Sequence, residues 1–263
     1  ICAPFTAAAD LRCVLEPRLG LAHARNTGWQ QARAEYVAYL DADAIAGPVW
    51  LPRLLARFAA AGPELAAVGG RIEPIWEGPR PDWFGANLSP FVGIIDWATQ
   101  PLLLRGDAMF LAGSNVAYAR AALKRLAGFR PTLGRRGRAL LSNEEIMLQR
   151  QLMRDGLQML YDPAIAVRHH VRTECLTRAW VRRRLYWQGV SDAILEHELA
   201  AAWGEAWSGS ARLKEDLREL RSACAAYVHS AVHRAPNLVS RECAVCLAAG
   251  RLLRNARLAL ERT

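Results

Sequence analysis

Between residues 35 and 75 the chain alternates between two textures. "EYVAYL", residues 35–40, has no polar interruption after Glu35 and is rich in β-formers. That is the pattern of a strand buried on both faces, as in a parallel sheet. "PVWLPRLLARFAAAG", residues 48–62, has Pro near its start and Gly62 after its end, which predicts a helix. "LAAVGGRIEPI", residues 65–75, predicts the next strand. Strand, helix and strand in succession point to an α/β layer architecture.

The rest of the chain extends this reading. "GLAHARNTGWQQARA", residues 20–34, predicts a loop entering a short helix. Residues 76–110, with Trp76, Pro79, Pro81, Trp83, Pro90 and Trp97, have no period. They are long for a connection, which marks them as functional. Strand character returns in "AMFLAGSNVAYAR" around Gly113, and "RAALKRLAGF" predicts a short helix stopped by Gly128. "RPTLGRRGRALL" is a basic loop punctuated by glycine. "SNEEIMLQRQLMRDG" predicts a helix with Ser142 or Asn143 as cap, Glu144 and Glu145 in its first turn and Gly156 at its end. "LQMLYDPAIAVRHHV" predicts a strand broken at Asp162-Pro163. From Thr177 the pattern is helical to the end, with breaks at Gly189, at Gly204–Gly209 and at Pro236.

The 263 residues are 52% hydrophobic, enough for one large domain or a domain with an appendage, and not a disordered composition. A net charge of +9 favours acidic partners such as phosphates, nucleic acid or anionic lipid. No uninterrupted apolar stretch reaches the roughly 20 residues of a membrane span, and no signal peptide is visible. The chain begins at Ile1 rather than Met, so the expectation is a piece of a longer protein. Cys2, Cys13, Cys175, Cys224, Cys243 and Cys246 make no disulfide framework. Cys243 and Cys246 form a C-x-x-C in a helical, Ala/Leu-rich stretch, and read as packed thiols rather than a metal site.

The candidate chemistry begins at "YVAYLDADAIAGPVW", where an apolar run ends in Asp41 and Asp43. Ligands of open α/β sheets bind outside the carboxyl ends of strands, where these acids stand. Two close carboxylates raise each other's pKa unless a cation intervenes, and hard oxygens suit Mg2+ or Mn2+. The alternative is an acidic turn that caps the next helix.

Downstream, "GSNVAYARAAL", "GF", "NEEIMLQRQL", "YDPAIAVRHHV" and "RRRLYWQG" follow in that order. With "LDAD", this order resembles the family 2 glycosyltransferases, inverting enzymes that use nucleotide sugars and have the GT-A fold. The resemblance runs from about Gly20 to about Asp192. It implies that Asp43 touches a Mg2+ or Mn2+ ion, while Asp41 lies near the nucleotide ribose or the metal. Arg25 and Asn26 in "LAHARNTG" are implied donor contacts, and Gly113, Ser114 and Asn115 the small-residue turn beside the donor sugar. Glu144-Glu145 matches the family's Glu-Asp pair, whose second member is the usual general base. Here that position, Glu145, is Glu rather than Asp, which puts the geometry in question. His169 best matches a further metal ligand, with His170 its rival by one residue. In a strand the two face opposite ways.

"RRRLYWQG" resembles the Gln-x-x-Arg-Trp region of processive relatives only loosely, so no polymerase is inferred. Arg183, Arg184, Tyr186 and Gln188 are candidates to line the donor phosphates or the acceptor mouth, and Glu144, Trp83, Trp187 and Gln188 to adjoin the acceptor. Trp76, Trp83 and Trp97 either stack on an acceptor sugar or anchor the long loop. The basic loop (Arg130, Arg135, Arg136, Arg138) either meets a phosphate-bearing acceptor or is solvated. Arg251, Arg254 and Arg257, set between leucines, suit ordinary helix packing or a membrane surface. The family's opening strand and its base-holding acid have no match before Gly20.

The expected architecture is therefore a GT-A, mostly parallel α/β domain over residues 1–192 without its opening strand, and a helical extension over 193–263. The expected partners are a nucleotide diphosphate-sugar and a glycan or lipid-linked acceptor in cell-surface glycan or glycolipid synthesis, in the cytoplasm or against the inner face of the membrane, with no nucleic acid. The rival readings are an Asp-x-Asp phosphatase or phosphotransferase, which Ala44-Ile45-Ala46-Gly47 fits poorly, and a non-catalytic basic binding module.

Overall fold

The computed structural model of the chain describes residues 11–235 and 237–261. Cys2 and Pro236 lie outside them, as do the first ten residues of the stretch before Gly20 that lacks the family's opening pattern. Helix α1 (Leu21–Gln31) leads into β1 (Tyr36–Tyr39), β2 (Ala44–Ala46), α2 (Trp50–Ala60) and β3 (Leu65–Trp76). The long connection that follows holds a 3-10 turn at Ala86–Val92 and the two-residue β4 (Leu102–Leu103). Then come β5 (Val116–Ala119), α3 (Arg120–Arg125), α4 (Glu144–Arg154) and β6 (Gln158–Val171). Three long helices finish the described chain: α5 (Arg178–Trp203), α6 (Gly209–Val232) and α7 (Leu238–Leu260).

The six strands form one sheet in the order β1-β5-β3-β6-β2, with β4 on β6. Alternate residues of the central strands face opposite layers, as the pleat requires. Tyr118, Met159 and Tyr161 pack with Ala22 of α1, Leu123 of α3 and Leu148 and Leu152 of α4. Ala117, Val68 and Ile165 pack with Leu54 and Phe58 of α2. The α/β layering expected from the sequence holds.

The sheet is mixed, however, rather than mostly parallel. Only β3 and β6 run parallel; β1–β5, β3–β5, β2–β6 and β4–β6 are antiparallel. The apolar run of β1 gave the wrong impression because β1 ends the described sheet path, where only Val37 is buried. A hydrophobic run reports burial and says little about strand direction. Asp162-Pro163 does not end β6. It sits in a register shift, between the pairs Gly70↔Asp162 and Ile72↔Val167.

Two helix expectations also change. Asn143 does stand at the N-cap of α4, but its side chain makes no capping bond. Its backbone is left-handed at φ 75°, a conformation Asn tolerates, and its amide is drawn instead to α5. Gly189 does not break a helix either. α5 runs through it because Gly189 lets α7 approach at backbone distance. No helix among the described residues is long and apolar enough to cross a membrane.

Candidate active site

Asp41 and Asp43 flank the tight turn from β1 into β2, which is closed by a bond from Ala44 N to the Asp41 carbonyl at 3.0 Å. The Asp43 carbonyl accepts from His170 N at 2.9 Å, so the turn is pinned to β6. Register on β6 then sorts the two histidines. His169 Nε2 lies 3.4 Å from Asp43 Oδ1, and its Nδ1 is buried without a partner. His170 turns to the other face and meets Glu77 Oε1 at 3.1 Å.

Arg25 of α1 ties this turn to the start of α4. Its guanidinium is 7% exposed, 2.6 Å from Glu144 Oε1 and 3.4 Å from Asp41 Oδ1. It rests against Gly113, where a Cβ would meet Nη2 at 2.0 Å, so a larger residue would expel it. Burial opposes the charge on Arg25, but Glu144, Glu145 and Asp41 together hold its pKa above the ordinary value. Burial first, and then the adjacent Glu145, push the Glu144 carboxyl upward against the pull of Arg25. Glu145 lies one position round the helix, and its Oε2 is buried without a partner.

Other candidates are spent on the scaffold. Asn26 donates to the Phe129 carbonyl and accepts from Phe129 N, both at 2.8 Å, bracing the turn after α3. Asn115 is fully buried; its amide donates to the carbonyls of Arg71 and Ile165, and its oxygen accepts from Trp50 Nε1. It therefore fastens β3, β6 and α2 to one another. Ser114 is buried beside it. Gln188 of α5 accepts from Ser142 Oγ and donates to Asn143 and Asp192, holding the start of α4 in place. Trp187 packs edge-on against Tyr186, and Trp83 packs beside Phe84 with Arg178 over its ring. Trp76 meets Phe84 and Trp97 meets Phe110 in the same edge-on way, so three tryptophans of the long connection have aromatic partners within the protein.

Two arginines complete the surroundings of α4. Arg184 of α5 is 6% exposed and donates through Nη2 to Gln188 Oε1 at 2.8 Å, while its Nε and Nη1 have no partner. Arg135, on the basic loop, has its Nη1 buried without a partner. Burial lowers both pKa values, and Arg135 adds to the effect on Arg184, bringing it down to about 9. No local pattern signals the Arg25–Glu144 pair, whose members are 119 positions apart. Arg183 and Arg184 are both candidates from the sequence, but nothing in the run of three arginines says that Arg184 is the buried one.

Comparison with known proteins defines the class first. Over 96% of this chain and 72% of the other, at 20% identity and a TM-score of 0.51, the fold is like that of a mannosyltransferase from Pyrobaculum calidifontis solved with GDP-Man and Mn2+. The architecture is thus of the GT-A kind. Residues 7–127 match the family model described as "Glycosyl transferase family 2". The chain is 25% identical over 187 residues to a glucosyl-dolichyl phosphate glucuronosyltransferase of Haloferax volcanii, covering 71% of this chain and 58% of that protein. It is 28% identical over 172 residues to a pre-mycofactocin glycosyltransferase of Mycobacterium tuberculosis, covering 65% of this chain and 34% of that protein. The chain thus spans between a third and three-fifths of the length of these curated relatives. The family match ends before α4 and β6, so Glu145 and His169 rest on geometry and on motif order.

Proposed function

We propose that the chain is a metal-dependent, inverting glycosyltransferase that moves a sugar from a nucleotide diphosphate-sugar to an acceptor hydroxyl. The carrying observation is that Arg25 joins the Asp41 turn, which lies within the stretch matching the family 2 model, to the first turn of α4 beyond it, and so sets a donor-side carboxylate pair beside a carboxylate with an unpartnered oxygen. The acceptor is a glycan or a lipid-linked sugar, and the name of the Haloferax volcanii relative, a glucosyl-dolichyl phosphate glucuronosyltransferase, supports the lipid-linked form. We assign the chemistry to residues 1–192 and treat 193–263 as a helical extension.

The residues present fit a divalent ion. Asp43 Oδ1 and His169 Nε2 stand 3.4 Å apart, one carboxylate oxygen and one imidazole nitrogen close enough to serve the same ion. No group of three or more His, Cys, Asp or Glu side chains able to hold a metal forms among the described residues. Mg2+ and Mn2+ sites of this kind commonly use one or two protein ligands and complete the shell with phosphate oxygens and water. When bound, such an ion supplies Lewis-acid stabilisation of the departing diphosphate.

The chain's own groups do the rest. Arg25 holds Asp41 on one side and Glu144 on the other, fixing the donor turn relative to α4. Glu145 Oε2 takes the proton of the acceptor hydroxyl as its oxygen attacks the anomeric carbon from the face opposite the diphosphate. Glu144, paired with Arg25, orients the first turn and leaves that oxygen free.

Asp43→Asn should weaken Mn2+-dependent binding of guanosine or uridine diphosphate by about tenfold or more, since even outer-sphere changes cost 10–100-fold in metal affinity. Titration calorimetry with and without Mn2+ gives the answer, and unchanged affinity would remove Asp43 from the metal. The histidines separate in the same assay. His169→Ala should lose about tenfold in Mn2+ affinity and His170→Ala less than about twofold. The reverse order would make His170 the ligand.

A further inference from the structure

Among the described residues, Arg135 and Arg184 bury guanidinium nitrogens that have no partner and belong to no ion pair. Removing a guanidinium from water without giving its N–H groups acceptors leaves the full desolvation cost uncompensated. Arg184 leaves Nε and Nη1 without acceptors, with the Phe91 ring 5.7 Å from its guanidinium carbon as partial compensation, and Arg135 leaves Nη1. Neither side chain forms an ion pair within the described residues. The nearby acids are committed elsewhere: Glu144 to Arg25, and Asp192 to the amides of Asn143 and Gln188. The exception is Glu145 Oε2, which is itself orphaned. Three donors therefore lack acceptors, while one carboxylate oxygen lacks a donor.

These needs are opposite, and one ligand meets both if it presents a hydroxyl and an oxyanion. The hydroxyl is the group from which Glu145 would take a proton. The oxyanion would accept from the guanidiniums. Three donors on two separate side chains suit the several oxygens of a phosphate better than a carboxylate, which one arginine satisfies in bidentate fashion.

Position argues for the acceptor rather than the donor. The donor diphosphate belongs with Asp43 and His169. From there the contacts run through Asp41 and Arg25 to Glu144, at the start of α4. Arg184 attaches to the other flank of that start, through Gln188 and, at 3.4 Å, through Ser142 Oγ. The Arg135 loop is anchored there as well: Gly134 N donates to the Ser142 carbonyl, and Arg183 to the Arg138 carbonyl.

We propose that Arg135 and Arg184 form a phosphate subsite on the acceptor side of Glu145, so that the acceptor carries a phosphate beside its reacting hydroxyl. This rests on the glycosyltransferase reading above. The test is calorimetric titration of the full chain with inorganic phosphate in the absence of metal. The same preparations are then titrated with guanosine and uridine diphosphate in Mn2+.

Arg135→Gln and Arg184→Gln should each weaken phosphate binding by about tenfold, the scale of a lost charge-assisted bond, and leave the nucleotide affinity within about twofold. Arg184 is deeply buried, so a melting curve checks that its variant folds, and Arg135→Gln on the loop carries the test if it does not. No saturable phosphate binding by the parent, or equal phosphate affinity in a folded variant, overturns the subsite. An equal loss of nucleoside diphosphate affinity overturns the acceptor assignment and gives the arginines to the donor diphosphate. Failure of the glycosyltransferase reading shows separately, as no Mn2+-dependent nucleotide binding by the parent, and it takes the acceptor assignment with it.

Discussion

Glu145→Gln should cost roughly 10²-fold or more in turnover while nucleotide-sugar binding stays nearly unchanged, because the amide keeps the size of the side chain but cannot accept a proton. The measurement is nucleoside diphosphate release from a panel of nucleotide sugars, beside donor affinity in Mn2+. Glu144→Gln should behave differently. Its carboxylate lies 2.6 Å from a guanidinium that is 7% exposed, so the change leaves a buried cation short of its closest partner. Breaking a buried pair by removing one member costs several kcal/mol where no other group compensates, and here Asp41 at 3.4 Å compensates in part. The Glu144 variant should therefore lose melting temperature first and turnover second. Equal, small turnover losses in both variants would reduce the two acids to helix-start residues that interact with the dipole, worth about 0.3–1 kcal/mol each.

Gly250→Ala should destabilise the chain by about 3 kcal/mol, the upper part of the usual range for overpacking. A Cβ at Gly250 would stand 2.0 Å from the Tyr186 carbonyl oxygen, and one at Gly189 would stand 1.9 Å from the Leu247 carbonyl oxygen. In both cases the obstacle is backbone, so no side-chain rotation relieves it and α5 and α7 must move apart. For a chain of this size that corresponds to a fall of about 6–12 °C in Tm, read by calorimetry or circular dichroism. Gly28, mid-helix in α1 with nothing within 4 Å, is the control: Gly28→Ala should gain about 0.5–1 kcal/mol. A change below 2 °C for Gly250→Ala, taking roughly 2–4 °C per kcal/mol, would mean that the helices separate at little cost.

Local pattern carried much of the fold. The strand ending at the Asp41 turn, the helix after it, the acids at the start of α4 and the long helical end all follow from short-range rules of period, capping and glycine placement. Strand direction did not follow, because β1 pairs with β5 some 80 positions away and its own sequence does not encode which way that partner runs. Gly189 reads as a break in the sequence for a related reason. A glycine that weakens an isolated helix and a glycine that admits a second helix look the same until the second helix is in place. Among the candidate residues, type and order brought forward Arg25, Asp41, Asp43, Glu144, Glu145 and His169, and the fold brings them into two adjoining clusters. Asn26 and Asn115 show the limit of such reading. Each stands where a ligand contact was expected, and each has its amide consumed by backbone groups from distant elements.

Helix α5 spans Arg178–Trp203 without interruption, across the expected boundary at Asp192. On one side Gln188 and Asp192 grip the residues that open α4, and between them Gly189 is pressed into α7. A rod clamped at both flanks cannot release one without loosening the other. The sheet end and the helical end should then behave as a single cooperative unit, with one melting transition and amide protection that rises and falls together on both sides of the rod.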